Sequence, residues 1–247
     1  MTTKPRSVAL VTGSATGAGR ACALRFAKLG YAICLNFSRS KKEAEETLAD
    51  VSKLGVPAIV HQTSVADDAG VREMIRRCRD ELGGLNVLVN NAGTTHFIAH
   101  ADLESLIDQV WDDIFSVNVK GTFHCCRAAM PLLKERKGNI VNITSVAGLQ
   151  GHGSSIPYAM SKAALNCMTQ SLARAFAPEV RVNAVAPGPI QTRWLAGREE
   201  LVEASLKVTP LKRACTPDDV AEVVEFLACG AAMMTGQVLV VDGGRTM

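Results

Sequence analysis

Val11 to Arg20 reads VTGSATGAGR: the end of a short apolar run, then three glycines (Gly13, Gly17 and Gly19), then small residues leading into a helical pattern. Glycine at such positions lets the chain turn tightly, approach a neighbouring backbone, or bring a diphosphate up to amide N–H groups. A helix opening directly after the turn adds partial positive charge for an anion. A glycine triplet alone says little, but between a strand and a helix it predicts a phosphate-binding turn.

Outward from this turn, short β-branched runs alternate with longer helical patterns along the whole chain. SVALVT (7–12) precedes a helix over 17–29, YAICLN (31–36) one over 41–54, PAIVHQ (57–62) one over 67–82, and LNVLVN (85–90) one over about 104–134. GNIVNIT (138–144) is followed by a helix over about 157–177, VRVNAVAP (180–187) by helical pieces within 193–228, and GQVLVVD (236–242) closes the series. Runs that are apolar at successive positions imply strands buried on both faces, and helices between them imply a parallel sheet with right-handed crossovers. The expected fold is α/β: a single-domain, Rossmann-type doubly wound sandwich over 1–247, its seven-stranded parallel sheet flanked by helices on both faces.

With 247 residues, 47% hydrophobic and 21% charged, the chain has apolar material for one well-buried core. Its 27 lysines and arginines face 24 acidic residues, and they are scattered rather than gathered into a stripe, which argues against a nucleic-acid partner. No apolar run approaches the ~20 residues of a spanning helix. The opening MTTKPRSVALVTGSATG reaches glycine before a signal-peptide core could form, so the expectation is a soluble, cytoplasmic chain with no membrane association. The eight cysteines, at 22, 34, 78, 125, 126, 167, 215 and 229, form no C-x-x-C pair and mostly fall in apolar patterns, as small buried hydrophobes in a reducing compartment do. His96 and His100 are four apart without a Cys or carboxylate at ligand spacing, and no metal site is expected.

A second stretch carries chemistry. SSIPYAMSK, Ser154 to Lys162, holds one of the two tyrosines in the chain and places a lysine four residues after it. Pro157 suits a first helical turn, where its missing N–H has no intrahelical partner, and the i, i+4 spacing puts Tyr158 and Lys162 on one helix face. A phenol is a poor acid or base at neutral pH unless its anion is stabilised. A lysine ammonium ~5 Å away, at an effective dielectric of ~20, offers the phenolate roughly 3 kcal/mol before any desolvation cost, enough to make acid–base catalysis practical.

The G-x-x-x-G-x-G spacing of the turn, NNAG at 90–93, Ser145 after the fifth strand, Tyr158-x-x-x-Lys162, PG at 187–188 and the terminal TGQVLVVDGG occur in one order along the chain. Together they resemble the short-chain dehydrogenase/reductase family over essentially the whole length, from Ser7 to Met247. The resemblance implies hydride transfer between a nicotinamide and a carbonyl carbon while Tyr158 exchanges a proton with the carbonyl oxygen. It implies further that Lys162 lowers the phenol's affinity for its proton and holds the nicotinamide ribose, and that Ser145 hydrogen-bonds the reacting oxygen. Asn118, in FSVNVKG, matches the family position that holds a water in the proton relay to Lys162. A dinucleotide-binding sensor or scaffold is the competing class, and the intact set Asn118, Ser145, Tyr158 and Lys162 argues against it.

The same resemblance implies cofactor contacts from Gly13, Ser14, Thr16, Gly17, Ala18 and Gly19 in the turn, from Ser64 and Val65 after the third strand, and from Asn91, Ala92 and Gly93 on the adenine-ribose side. Tyr158 and Lys162 join them, and Pro187, Gly188, Ile190 and Thr192 would fix the nicotinamide ring and its carboxamide. The second strand ends LNFSRS, with Asn36 where NAD enzymes of the family carry Asp and with Arg39 between Ser38 and Ser40. A carboxylate reads free ribose hydroxyls whereas a cation grips a 2′-phosphate, so NADP(H) is favoured over NAD(H). Thr16 stands where many NADP(H)-preferring relatives of the family carry Arg or Lys, and Ser64 replaces the aspartate that commonly accepts from the adenine amino group.

RWLAGREELVEASLKVTP resembles the family's variable substrate lid, placed at about 192–210, with Trp194 over the ligand. With Ser145, Tyr158 and His152 it implies a mostly apolar pocket for a small carbonyl or alcohol. By overall pattern the nearest subgroup is the 3-oxoacyl-acyl-carrier-protein reductases. Arg136 matches one position that docks the acidic carrier, while the second docking arginine is replaced near Pro178-Glu179. Reductases or dehydrogenases of another small alcohol, sugar or ketone are the alternative. The long apolar helices and the last strand match surfaces through which the family forms tetramers, implying a homotetramer.

Overall fold

The computed structural model describes residues 6–192, 197, 203 and 206–247. Seven parallel strands form one sheet in the order β3-β2-β1-β4-β5-β6-β7. They are β1 (Val8–Val11), β2 (Ala32–Phe37), β3 (Ala58–Gln62), β4 (Val87–Asn90), β5 (Asn139–Ile143), β6 (Arg181–Pro187) and β7 (Val238–Val241). Sequence order runs outward from β1 to β3 on one side and from β4 to β7 on the other. The strand order therefore reverses between β1 and β4, the place where α/β sheets open a crevice beyond their C-terminal ends.

The helices are α1 (Gly17–Lys28), α2 (Lys41–Ser52), α3 (Asp68–Leu82), α4 (Asp108–Phe115), α5 (Thr122–Arg136), α6 (Ala147–Gln150), α7 (Ile156–Phe176) and α8 (Pro217–Glu225). Successive strand residues face opposite sides of the sheet. Ala9, Val11, Ile33, Leu35, Val89 and Val141 pack with Cys22 and Phe26 of α1 and Val220 and Val224 of α8. Val8, Leu10, Cys34, Leu88 and Ile140 pack with Met74 and Cys78 of α3 and Cys125 and Leu133 of α5. Both faces are thus covered, as continuous apolar runs require. Cys167 and Cys229 depart from the expected burial: both are exposed, each lying past the apolar stripe of its helix.

Two departures from the expected helices bear on the site. The helix expected over about 104–134 begins only at Asp108, and a π-helical turn, Ser116–Gly121, separates α4 from α5. The wide turn is supported by side chains, Thr122 Oγ1 donating to the Asn118 carbonyl at 2.8 Å and Ser116 Oγ to the Asp113 carbonyl at 3.1 Å. The short helix α6 was not anticipated; it follows β5 and packs on α7.

Candidate active site

The turn after β1 and the turn after β4 meet at the strand reversal. Gly13 adopts φ +61°, and a Cβ on it would sit 2.9 Å from Ala92 Cα. A Cβ on Gly19 would lie 2.5 Å from both Asn91 Nδ2 and the Gly13 carbonyl oxygen. Asn91 Nδ2 donates to the Thr12 and Gly13 carbonyls, each at 3.0 Å. Thr12 Oγ1 in turn accepts from the amides of Asn91 and Ala92, each at 3.0 Å. The bare glycines are therefore demanded by backbone packing of one turn on the other. Thr16 caps α1 without a side-chain hydrogen bond, and no acidic residue lies in the helix's first turn. The first-turn amides, from Gly17, Ala18 and Gly19 onward, keep the donors and positive potential that a diphosphate needs, so the turn fits the dinucleotide.

The segments at the ends of β6, β3 and β2 carry the other expected cofactor residues. A Cβ at Gly17 would be 3.3 Å from the Thr192 methyl, which brings the segment after β6 across the glycine turn. Pro187 accepts from the Val146 amide at 3.1 Å, Gly188 donates to Val241 at 2.9 Å, and Ile190 pairs with Cys215 in an isolated bridge. Ser64 Oγ accepts from the Ala66 amide at 3.3 Å, and Val65, 4% exposed, packs against Gly121 of the π turn. Ser14 donates from its amide to the Asn36 carbonyl at 2.9 Å. The Asn36 side chain is itself committed: it accepts from the Gly13 amide at 3.2 Å and donates to the Thr63 carbonyl at 3.0 Å, at 2% exposure. Past it, Ser38 and Arg39 are exposed and Ser40 is half-buried.

Four side chains converge where β4, β5, the π turn and α7 come together. Ser155 caps α7, its hydroxyl accepting from the Tyr158 amide at 3.4 Å, and Pro157 occupies the first turn as expected. Ser145, just past β5, hydrogen-bonds the Tyr158 hydroxyl. Lys162 Nζ lies 5.7 Å from the centroid of the Tyr158 ring and donates to the Ile143 carbonyl at 2.9 Å. Asn118 is fully buried: its Oδ1 accepts from the Thr94 amide at 2.8 Å, and its Nδ2 donates to the Thr94 carbonyl and to Ser161 Oγ, both at 3.0 Å. Ser161 Oγ continues to the Tyr158 carbonyl at 2.7 Å. A Cβ on Gly93 would stand 3.4 Å from Asn118 Oδ1 and 3.8 Å from Lys162 Nζ, so the end of the NNAG turn overlooks the same spot.

The electrostatics correct the expectation of an acidified phenol. Burial is the largest influence on Tyr158 and pushes it up to about 12, against the lowering effect of the Ser145 hydrogen bond. Burial likewise lowers Lys162 to about 8 from an ordinary 10.5. The ammonium faces the ring and is spent on a backbone carbonyl, and desolvation is the leading influence on both groups, disfavouring the charged form of each. The protein alone thus holds a neutral, proton-bearing phenol.

Other expected residues are not drawn in. His152 is exposed on the loop before α7, although its neighbour Gly153 borders the Tyr158 ring. Trp194 lies outside the described residues, as does most of the expected lid over 192–210. His96 does find a carboxylate, pairing through Nε2 with Asp113 at 3.0 Å across 17 residues. Thr12, Thr94 and Ser161 were missed by reading the sequence, since their roles depend on partners far along the chain; only Ser155, preceding proline at a helix start, carried a local signal.

The profile of the family described as enoyl-(acyl carrier protein) reductase matches residues 13–246. A 3-oxoacyl-[acyl-carrier-protein] reductase, FabG, of Staphylococcus aureus is 40% identical over 97% of this chain and 98% of its own length. The chain belongs to the short-chain dehydrogenase/reductase family. A 3-oxoacyl-[acyl-carrier-protein] reductase of Synechocystis is 37% identical to this short-chain dehydrogenase/reductase, over the full length of both. A solved structure from Brucella melitensis, described as short-chain dehydrogenase/reductase SDR:Glucose/ribitol dehydrogenase, superimposes with a TM-score of 0.89 at 29% identity, covering 99% of this chain and 98% of that one. The short-chain dehydrogenase/reductase described here is accordingly an NAD(P)-dependent oxidoreductase of CH–OH and C=O groups.

Proposed function

We propose that this enzyme uses NADP(H) and reduces 3-oxoacyl thioesters, with Tyr158 as proton donor and Ser145, Lys162 and Asn118 as its partners. The observation that carries the reading is the meeting of Ser145, Tyr158 and Lys162 beside the glycine turn. The dinucleotide, when bound, supplies the hydride. The neutral Tyr158 hydroxyl is set to release its proton to a carbonyl oxygen, and the Ser145 hydroxyl steadies the charge developing there. The Lys162 ammonium favours the phenolate left behind and would hold the ribose hydroxyls. Asn118 fixes Thr94 on one side and, through Ser161, the start of α7 on the other.

Absence of a carboxylate at the end of β2 and the exposed Arg39 beyond it support NADP(H). The names of the Staphylococcus and Synechocystis relatives support the thioester class. The test is NADPH consumption with a short 3-oxoacyl thioester, beside NADH and beside Tyr158→Phe. Turnover with NADPH that falls at least ~100-fold in Tyr158→Phe, with NADPH binding kept, is the expected result; more than about a tenth of the rate in the variant overturns the role of Tyr158.

A second reading, reduction or oxidation of a small free alcohol, sugar or ketone, is favoured by Arg136. Its guanidinium donates to the Gly83 carbonyl at 2.5 Å, closing the C-terminus of α3, rather than standing ready for an acidic carrier. Salt-sensitive association with acyl carrier protein separates the two readings. We also place the enzyme in the cytoplasm as a homotetramer, with Phe123 of α5 and Met160 of α7 exposed on the faces it would use; a monomeric mass by light scattering overturns the assembly.

A further inference from the structure

Helix α6 presses its backbone onto the helix that carries Tyr158 and Lys162. A Cβ on Gly148 would lie 2.5 Å from the carbonyl carbon of Lys162, 2.6 Å from the Ala163 amide nitrogen and 2.9 Å from Lys162 Cβ. These are mostly backbone atoms, which no rotamer change moves aside. From α7, Asn166 Nδ2 donates to the Gly148 carbonyl at 3.4 Å. On its other side α6 governs Ser145: the Ala147 amide donates to Ser145 Oγ at 3.1 Å, and the Gly148 amide to the Ser145 carbonyl at 3.0 Å. Ser145 Oγ accepts from Ala147, and its hydrogen bond with the Tyr158 hydroxyl lowers the phenol's affinity for its proton, as donation to the phenolic oxygen does.

We propose that Gly148 is a positioning residue: by letting α6 lie directly on the α7 backbone at Lys162 and Ala163, it holds the Ser145 hydroxyl within reach of Tyr158 and in donor orientation. The inference rests on the reading of Tyr158 and Ser145 as the acid–base pair. An alanine at 148 must move α6 by about 0.9 Å to bring its 2.5 Å contact out to an ordinary 3.4 Å. A displacement of ~1 Å in a reacting constellation costs up to ~100-fold in rate.

The experiment compares kcat and KM for NADPH in Ser145→Ala, Gly148→Ala, the double variant, Asn166→Leu and Gly138→Ala. Gly138→Ala is the steric control: its Cβ would meet the Asn86 carbonyl oxygen at 2.4 Å, at the opposite end of β5. Gly148→Ala is expected to lower kcat ~10- to 100-fold and to keep KM for NADPH within about 2-fold. In the Ser145→Ala background it should add less than about 2-fold, because both changes remove the same hydrogen bond. Should Gly148→Ala not fold, Asn166→Leu, which removes the hydrogen bond to the Gly148 carbonyl, must lower kcat with KM for NADPH kept within about 2-fold and show the same non-additivity with Ser145→Ala. An unchanged kcat in the recovered variant, additive losses in the double variant, or the same change in Gly138→Ala overturns the proposal. Normal kinetics in Ser145→Ala overturns the catalytic reading, and the inference with it.

Discussion

Replacing Lys162 by methionine should make this enzyme more stable near neutral pH while it destroys activity. Lys162 is 5% exposed, and burial holds it at about 8 against an ordinary 10.5. At ~1.4 kcal/mol per pH unit that difference corresponds to a cost of roughly 3 kcal/mol for keeping the ammonium in the folded protein. The folded state binds this proton more weakly than the unfolded chain does, so the cost is fully present below pH 8. It shrinks as pH rises from about 8 to 10.5, and it is gone above that window. Methionine keeps most of the aliphatic volume but loses the hydrogen bond to the Ile143 carbonyl, worth ~1 kcal/mol. The net expectation for Lys162→Met at pH 7 is a gain of ~2 kcal/mol, or about 5 °C in Tm for a chain of this size. Urea unfolding followed by circular dichroism, at one protein concentration and at pH 7 and 10.5, reads the difference directly, because every other lysine titrates alike in both proteins. An equal or lower midpoint for the variant at pH 7, or an advantage that persists undiminished at pH 10.5, refutes the reasoning.

Arg39→Ala should raise KM for NADPH ~10-fold or more and leave NADH within about 2-fold, since a charge-assisted phosphate contact is worth ~1.5–3 kcal/mol; parallel changes for both cofactors in steady-state kinetics would remove Arg39 from the phosphate site. Arg181 ties the π-helical turn Phe226–Gly230 and the approach to β7 to the sheet, donating to the carbonyls of Leu227 at 2.9 Å, Met234 at 3.1 Å and Ala228 at 3.1 Å. Arg181→Met orphans the Leu227 carbonyl, while Ala228 keeps its bond from Asn139 Nδ2 and Met234 its bond from Asn183 Nδ2, so a loss of ~1 kcal/mol and a Tm lower by about 3 °C are expected, with kcat at 25 °C unchanged. A thermal melt within 1 °C or so of the wild type would show that water replaces the guanidinium without cost.

The strands, the glycine turn and the start of α7 were legible because their causes are local. Val8 to Val11 and Val238 to Val241 are apolar on both faces, Gly13 needs positive φ, and Ser155 with Pro157 opens a helix whatever lies nearby. The spacing of Tyr158 and Lys162 was equally local, and with Ser145 and the two turns it was sufficient to point to the family. The break in the helix around Asn118 was not legible, because the side chain that accompanies it is held by Thr94, 24 residues earlier, and by Ser161, 43 residues later. Helix α6 escaped for the same reason: four residues carry no period, and the packing of Gly148 on Lys162 is a tertiary contact. The protonation of the pair was misjudged by a spacing argument. Coulomb attraction can be computed from two residues four apart, but desolvation is the summed effect of everything packed around them. Sequence therefore determined which groups share a helix face, and tertiary structure decided which of their charged forms the protein tolerates.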